Sequence, residues 1–394
     1  MVGFPPAAEG RRPMKRILLT TLGVSVLMLA LVILAVRLRY GGGELFEDRS
    51  SEPLLPIGVV EKLADLELPP GNIAVSATGR VFFSFHPEAF PEIKLAELIG
   101  GKATPYPNLE MQQADGPEEH FQSILSLRID RQNRLWVLDY GDHGMGQPRL
   151  LAFDLETDRL VHRHDFPPHV APLGSHLNDF QVNPAGTRIY IADASIFRKR
   201  PAIVVYDVEA NTSRRVLEGH ASVSAERYIP VVQGQKMLIF GIFAIRPGVD
   251  SIALDRRGEW LYYAPVTNRS LYRVAARYLD DDQLSPKELG AAVEVFAAKT
   301  MSDGISTDLA GNIYLTDLEH SAIVRLAPDG TLKTLLKDPL LRWPDGLSFG
   351  PDGWLYIACS SLQHVIMRSA GHIRENAPYQ IFRFKPGPAG VSGH

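Results

Sequence analysis

Four residues, Asn178, Asp250, Asp303 and Asp345, each stand five places before a reverse turn of the D/N-x-x-G kind or a close relative of it. Equal spacing from equal turns makes each side chain leave its strand at the same height. A fold that gathers these strands around one axis therefore brings three carboxylates and an amide together. Such hard oxygen donors suit Ca²⁺, which takes roughly six to eight oxygen ligands, whereas carboxylates crowded without a cation repel one another. The spacing thus suggests Ca²⁺ as cofactor, held by Asn178, Asp250, Asp303 and Asp345. A backbone role competes with this reading. Asp or Asn before Gly often opens a strand or shapes a turn, and Gly304 and Gly346 follow two of the four.

A second set of candidates lies in loops expected at the same end of the strands: "DYGDHG" from Asp139, "DAS" from Asp193, "PVTNR" from Pro265 and "DLEH" from Asp317. They nominate Asp139, His143, Asn268, Glu319 and His320 as ligand contacts, although polar loop residues are equally at home in solvent. Trp343, just before Pro344 and Asp345, and Tyr140 could hold an organic ligand by their aromatic faces or pack between neighbouring sheets.

The elements that must position these residues repeat along the chain. "SATGRVFFSF" from Ser76, "DRQNRLWVLD" from Asp130, "NPAGTRIYIAD" from Asn183, "DRRGEWLYYAP" from Asp255, "DLAGNIYLTD" from Asp308 and "GPDGWLYIAC" from Gly350 each place a turn before a strand rich in aromatic and aliphatic residues. Six such units predict an all-β, six-bladed β-propeller of four-stranded blades over residues 57–394. The last unit runs out after three strands. A propeller edge must be paired, so a strand around Gly58–Asp65 is expected to supply the fourth and close the ring. Ser285-Pro286-Lys287-Glu288 reads as a capping box with Pro at the first helical position, opening a short inserted helix.

Ahead of the propeller, residues 1–16 carry Arg11, Arg12, Lys15 and Arg16, and residues 17–36 form an uncharged run, "ILLTTLGVSVLMLALVILAV". Twenty residues at about 1.5 Å each span the roughly 30 Å of a bilayer core. The basic flank favours a cytoplasmic N-terminus, so the run is expected to be a signal anchor. Residues 37–56 then serve as linker, and the propeller lies in the periplasm or extracellular space, or is secreted if the segment is cleaved after the "GGG" at 41–43. Cys359, the only cysteine, sits in an apolar strand and is expected to be a buried thiol.

A net charge of −4 and the lack of a long basic run outside the N-terminus argue against a nucleic-acid partner. The chain has no G-x-S-x-G, H-E-x-x-H or Walker sequence and no cysteine pair for zinc. Nothing points to an organic cofactor.

The blocks "FQSILSLRIDRQNRLWVLDYGDHG", "HLNDFQVNPAGTRIYIADAS", "GVDSIALDRRGEWLYYAPV", "SDGISTDLAGNIYLTDLEH" and "RWPDGLSFGPDGWLYI" together resemble the major royal jelly protein and yellow family, in its bacterial branch, over roughly residues 57–385. The resemblance implies a six-bladed, usually secreted propeller with a ligand site at the tunnel mouth. Insect members include binders of biogenic amines and sterols and proteins tied to dopachrome conversion. Their disulfide cysteines have no counterparts here. A more distant resemblance is to SMP-30/gluconolactonase-like propellers, which implies a calcium held by a first-blade Glu and later Asn and Asp residues. Asn178 and Asp303 match that pattern, Asp303 also at the catalytic position, and Asp250 stands where an Asn is usual. The Glu position falls on Gly71, with Asn72 beside it as a further ligand contact. That loss speaks against lactone hydrolysis, although Asp345 restores a carboxylate.

The leading expectation is a membrane-anchored, extracytoplasmic propeller that binds a small organic ligand, with or without a divalent cation, at the tunnel mouth. The alternatives are a calcium-dependent lactone or ester hydrolase and an isomerase of the dopachrome type, with His143 or His320 carrying protons. A protein-interaction platform is a fourth reading.

Overall fold

Alternating apolar residues between turns fold into antiparallel sheets here because each sequence unit supplies its own hairpin signals. In four of the six units an Asp or Asn at the head of the turn closes it. Asp130 accepts from the backbone N–H groups of Gln132 and Arg134 (both 2.9 Å), and Asp308 does the same for Ala310 and Asn312. The second carboxylate oxygen then ties the turn to the aromatic residue of the next strand. Trp136 Nε1 donates to Asp130 at 2.7 Å, and Tyr314 O–H donates to Asp308 at 2.8 Å.

The computed structural model describes residues 11–394 together with Met1 and Gly3, so part of the expected basic segment 1–16 lies outside the described residues. Six four-stranded blades surround a tunnel. Their innermost strands are Pro70–Val75, Ile124–Ile129, Leu177–Val182, Val249–Leu254, Ile305–Thr307 and Pro344–Phe349, and neighbours in that order adjoin around the ring. The ring closes as expected. Glu61–Leu66 pairs antiparallel with Tyr379–Phe384, so the last blade takes its outer strand from the N-terminal side of the propeller. The inserted helix Pro286–Ala291 carries the expected capping box between Ser285 and Glu288.

A helix, Arg11–Val36, precedes the propeller and passes into one π-helical turn, Arg37–Gly41. The stretch Lys15–Gly41 is long and apolar enough to cross a membrane, and none of its apolar part is buried against the propeller. Within the segment 37–56, expected as linker, Glu44 bridges to Tyr228. The backbones of Leu54 and Leu55 donate to the carbonyls of Thr334 and Leu335, on the outer strand of the fifth blade.

At the far end of the tunnel the C-terminal segment folds back inside. The Phe349 N–H and the Ser306 hydroxyl both donate to the His394 carbonyl oxygen, and His394 Nδ1 lies 3.0 Å from Gln181 Oε1. The tunnel therefore opens at one end, where the innermost strands begin. Cys359 is buried, as expected.

Phe382 is buried between the closing strand and the rest of the last blade. Phe382→Ala is expected to cost about 3–5 kcal/mol of unfolding free energy, read as a fall in the urea midpoint. Leu309→Ala, on an exposed turn, should stay within about 0.5 kcal/mol of the parent.

Candidate ligand site at the tunnel mouth

The residue five places before each turn opens an innermost strand, and the six residues so placed, Gly71, Leu125, Asn178, Asp250, Asp303 and Asp345, all line one cavity. The four predicted metal ligands are thus brought together. Strand alternation alone would not aim them inward. In five blades the pairing register slips at this residue, between Pro70 and Ile73, Ile124 and Ser126, Leu177 and Phe180, Val249 and Ser251, and Pro344 and Leu347. Such bulges re-aim side chains. In the remaining blade the Thr316 hydroxyl takes the place of a ladder carbonyl and accepts from the N–H groups of Asp303 and Gly304. The glycines after Asp303 and Asp345 answer to packing: a Cβ on Gly304 would collide with the Asp345 carbonyl, and one on Gly346 would meet the Asn72 backbone. The backbone therefore needs the glycine, and the acid before it faces the cavity.

Asp179, which sequence reading passed over, joins this cluster because the bulge turns two consecutive residues inward. Asn72 Nδ2 donates to its Oδ1 at 2.5 Å and the Ser126 hydroxyl at 3.0 Å, while Arg128 lies 3.4 Å from Oδ2 and also donates to Asn72 Oδ1. Arg128 comes from two residues further along its strand than Ser126 and is wholly buried. Its signal was in the sequence as a lone cation inside "ILSLRI". Lys299 is the second buried cation near the ring. Its ammonium donates to the carbonyls of Val266 and Thr300 (3.0 and 2.9 Å), and burial pulls it down to about 7.

Burial dominates the acids' titration. Asp303 is pushed up to about 6, with Asp179 adding to the shift, while the indole N–H of Trp343, 2.5 Å from Oδ2, and Lys299 oppose it. Asp250 and Asp345 are held well above the carboxylate range by burial and by Asp303. The Ser360 hydroxyl partly relieves Asp345, whereas Asp250 Oδ1 has no hydrogen-bond partner among the described residues. Trp343 holds its backbone at φ 48°, a left-handed conformation rare for a bulky side chain, and so seats its ring both on the cavity wall and against Asp303.

The rest of the open cavity is largely apolar, with Leu125, Val266, Leu362 and Ile366 among its walls. One side is aromatic: the His143 and His176 rings lie 4.7 Å apart, and each packs against Tyr140 at about 5 Å. Burial lowers both histidines, His176 well below its usual value, and brings His86 down to about 4, so this wall is uncharged at neutral pH.

Of the other predicted contacts, Asn72, His143 and Trp343 line the cavity, and Asp139, Asn268, Glu319 and His320 do not. Asp139 pins its own loop, accepting from the N–H groups of Gln122 and Ser123 and pairing with Arg149. Asn268 is occupied by Ser224 and Ser270, and Glu319 accepts from the Val231 N–H at 2.7 Å. His320 is held between Asp317 and Asp48. These loops do reach the mouth end, but their polar groups are used to shape it.

The sequence model described as major royal jelly protein matches residues 122–360, more than half of the chain and five of the six ring positions. The chain belongs to the major royal jelly protein family. It is 25% identical to major royal jelly protein 7 of Apis mellifera, over 51% of this chain and 46% of that protein. To major royal jelly protein 1 of the same species it is 28% identical, over 43% and 40%. The alignments thus cover less than half the length of these relatives. In three dimensions the family fold is similar to that of a luciferin-regenerating enzyme (TM-score 0.54, 12% identity, 85% of this chain and 98% of that one). It is also similar to a gluconolactonase from Xanthomonas campestris (0.52, 11%, 87% and 96%) and to regucalcin, a calcium-binding protein, from Agrobacterium tumefaciens (0.50, 16%, 84% and 95%). At these identities the likeness is one of fold.

For Asp303, folded pKa about 6 lies above the unfolded value near 4. Its favourable contribution is complete below about pH 4 and is lost as pH rises through 6. Asp303→Asn keeps an oxygen for the Trp343 indole and removes this loss. Its melting temperature should exceed the parent's by a few degrees at pH 8 and by much less at pH 5; a pH-independent difference would contradict the assignment.

Proposed function

We propose that the protein is a membrane-anchored, extracytoplasmic propeller whose tunnel mouth binds a small organic cation. The observation that carries this reading is the pairing of an apolar, partly aromatic cavity with a floor of crowded acids, of which Asp250 offers an unpartnered buried oxygen. An unpaired buried acceptor is costly, and an ammonium group satisfies it while relieving repulsion among Asp250, Asp303 and Asp345. The ligand's body would lie against Trp343 and the aromatic His143–His176 wall, where flat or aliphatic groups gain contact without losing hydrogen bonds. The anchoring part of the reading rests on the apolar helix and the basic residues before it.

A second reading places a divalent ion in the ring. The oxygen-rich set Asn178, Asp250, Asp303 and Asp345 has the donor chemistry Ca²⁺ prefers, and a likeness to regucalcin points the same way. The arrangement itself fits poorly: among the described residues no three His, Cys, Asp or Glu side chains are grouped so that they could hold one ion, and Asp303 Oδ2 is engaged by Trp343. Calcium-dependent hydrolysis depends on such an ion.

The two readings part in a titration of the purified full chain, in detergent, with 2-phenylethylamine, its neutral counterpart 2-phenylethanol, and Ca²⁺. The amine should bind at least tenfold more tightly than the alcohol, more tightly at pH 8 than at pH 5 because the acids must ionise, and Asp250→Asn should abolish the preference. Equal affinity for amine and alcohol would sink the proposal. Stabilisation by Ca²⁺ alone, lost in Asp250→Asn, would favour the metal.

A further inference from the structure

Where the N-terminal helix meets the propeller, it does so beside the cavity. The apolar run ends at Val36, and the ring of Tyr40, four residues on, stacks on Phe243 with centroids 5.5 Å apart. Arg37 and Arg246 fasten the same junction through the carbonyls of Gly241 and Gly42. Phe243 belongs to a small hairpin, Leu238–Ile239 with Phe243–Ala244, and this hairpin contributes Ile239 to the cavity wall. One two-stranded element therefore touches the helix on one side and the tunnel mouth on the other.

The rim around this hairpin is apolar and bare. Phe240 at its tip, Phe197 from the third blade and Met367 from the sixth are each more than half exposed, and Phe197 and Met367 border the opening itself. Large apolar side chains collected on one face mark an interaction surface. Beside them stand exposed Lys199, Arg227 and Arg368, for which no ion pair is found among the described residues, whereas neighbouring Arg198 and Arg200 are paired with Glu218. Apolar tips set among free cations match the interface of an anionic bilayer.

Chain length decides how close that bilayer is. Four helical residues advance about 6 Å, no more than the thickness of a headgroup layer, roughly 5–8 Å. If the helix spans the membrane, the hairpin lies at headgroup depth whatever the helix tilt. We propose that the mouth face of the propeller, through Phe197, Phe240 and Met367 and the cations beside them, docks on the surface of an anionic bilayer, so that the cavity opens at the level of the lipid headgroups. This inference rests on the anchoring reading above.

The test uses the full chain in nanodiscs of phosphatidylcholine and phosphatidylglycerol carrying nitroxide-labelled lipid. Cys359 is fully buried and stays unlabelled, so a fluorophore can be placed by Leu27→Cys in the helix, by Phe240→Cys or Phe197→Cys on the rim, or by Asp329→Cys on a turn at the opposite end of the blades. Quenching of at least twofold at positions 27, 240 and 197, with none at 329, is the expected result. Quenching at 27 alone would overturn the docked mouth and leave the anchor standing. No quenching at 27 would remove the anchor and the docking with it.

Discussion

Gathering four carboxylates around a single axis, three of them buried, is the constraint on which the rest of this structure turns. Asp179, Asp250 and Asp303 are buried and Asp345 is half-buried at the same cavity, and each added negative charge raises the cost of the next. Two buried cations, Arg128 and Lys299, offset part of this. Arg128 is committed to Asp179 and Asn72, below the cavity floor, and Lys299 to backbone carbonyls. The upper acids are left short of positive charge. This surplus of acid beneath apolar walls is the basis on which we propose an organic cation as the ligand.

Ring geometry makes this arrangement sustainable. The acids cannot move apart, because neighbouring inner strands approach so closely that Gly304 and Gly346 have no room for a side chain. Nor can the ring open easily, since the Glu61–Leu66 strand locks the last blade to the start of the propeller and the C-terminal segment fills the far end of the tunnel. Rigid convergence of this kind holds repulsive groups in place at the expense of stability, as functional sites commonly do. The distorted backbone at Trp343 belongs to the same pattern: it fixes the indole N–H on Asp303.

Much of the fold was legible along the chain because its signals are local. Turn acids such as Asp130 and Asp308 sit beside the aromatic residues they bond, so each unit announces its own hairpin, and a missing fourth strand in the last unit implied a partner near Gly58–Asp65. The ring positions were legible for the same reason, being counted from those turns. Asp179 and Arg128 were not. Reading alternation along "LNDFQV" sends Asp179 away from Asn178, and only the register slip between Leu177 and Phe180 turns both inward. Asp139, Asn268, Glu319 and His320 erred in the opposite direction: their loops were rightly placed at the mouth end, but whether a loop polar group faces a ligand or its own backbone depends on hydrogen bonds formed by distant segments.

Sequence by itself determined the number of blades, the closure of the ring, the apolar N-terminal helix and the equal heights of Asn178, Asp250, Asp303 and Asp345, since each follows from patterns within a few tens of residues. Tertiary structure alone decided that the acids share one cavity with Trp343 and a histidine wall, that Arg128 reaches up beneath them, and that the helix ends against the hairpin bordering the mouth. Those facts join residues about forty to two hundred positions apart, and such neighbours are chosen by the packing of whole sheets, which no local pattern encodes.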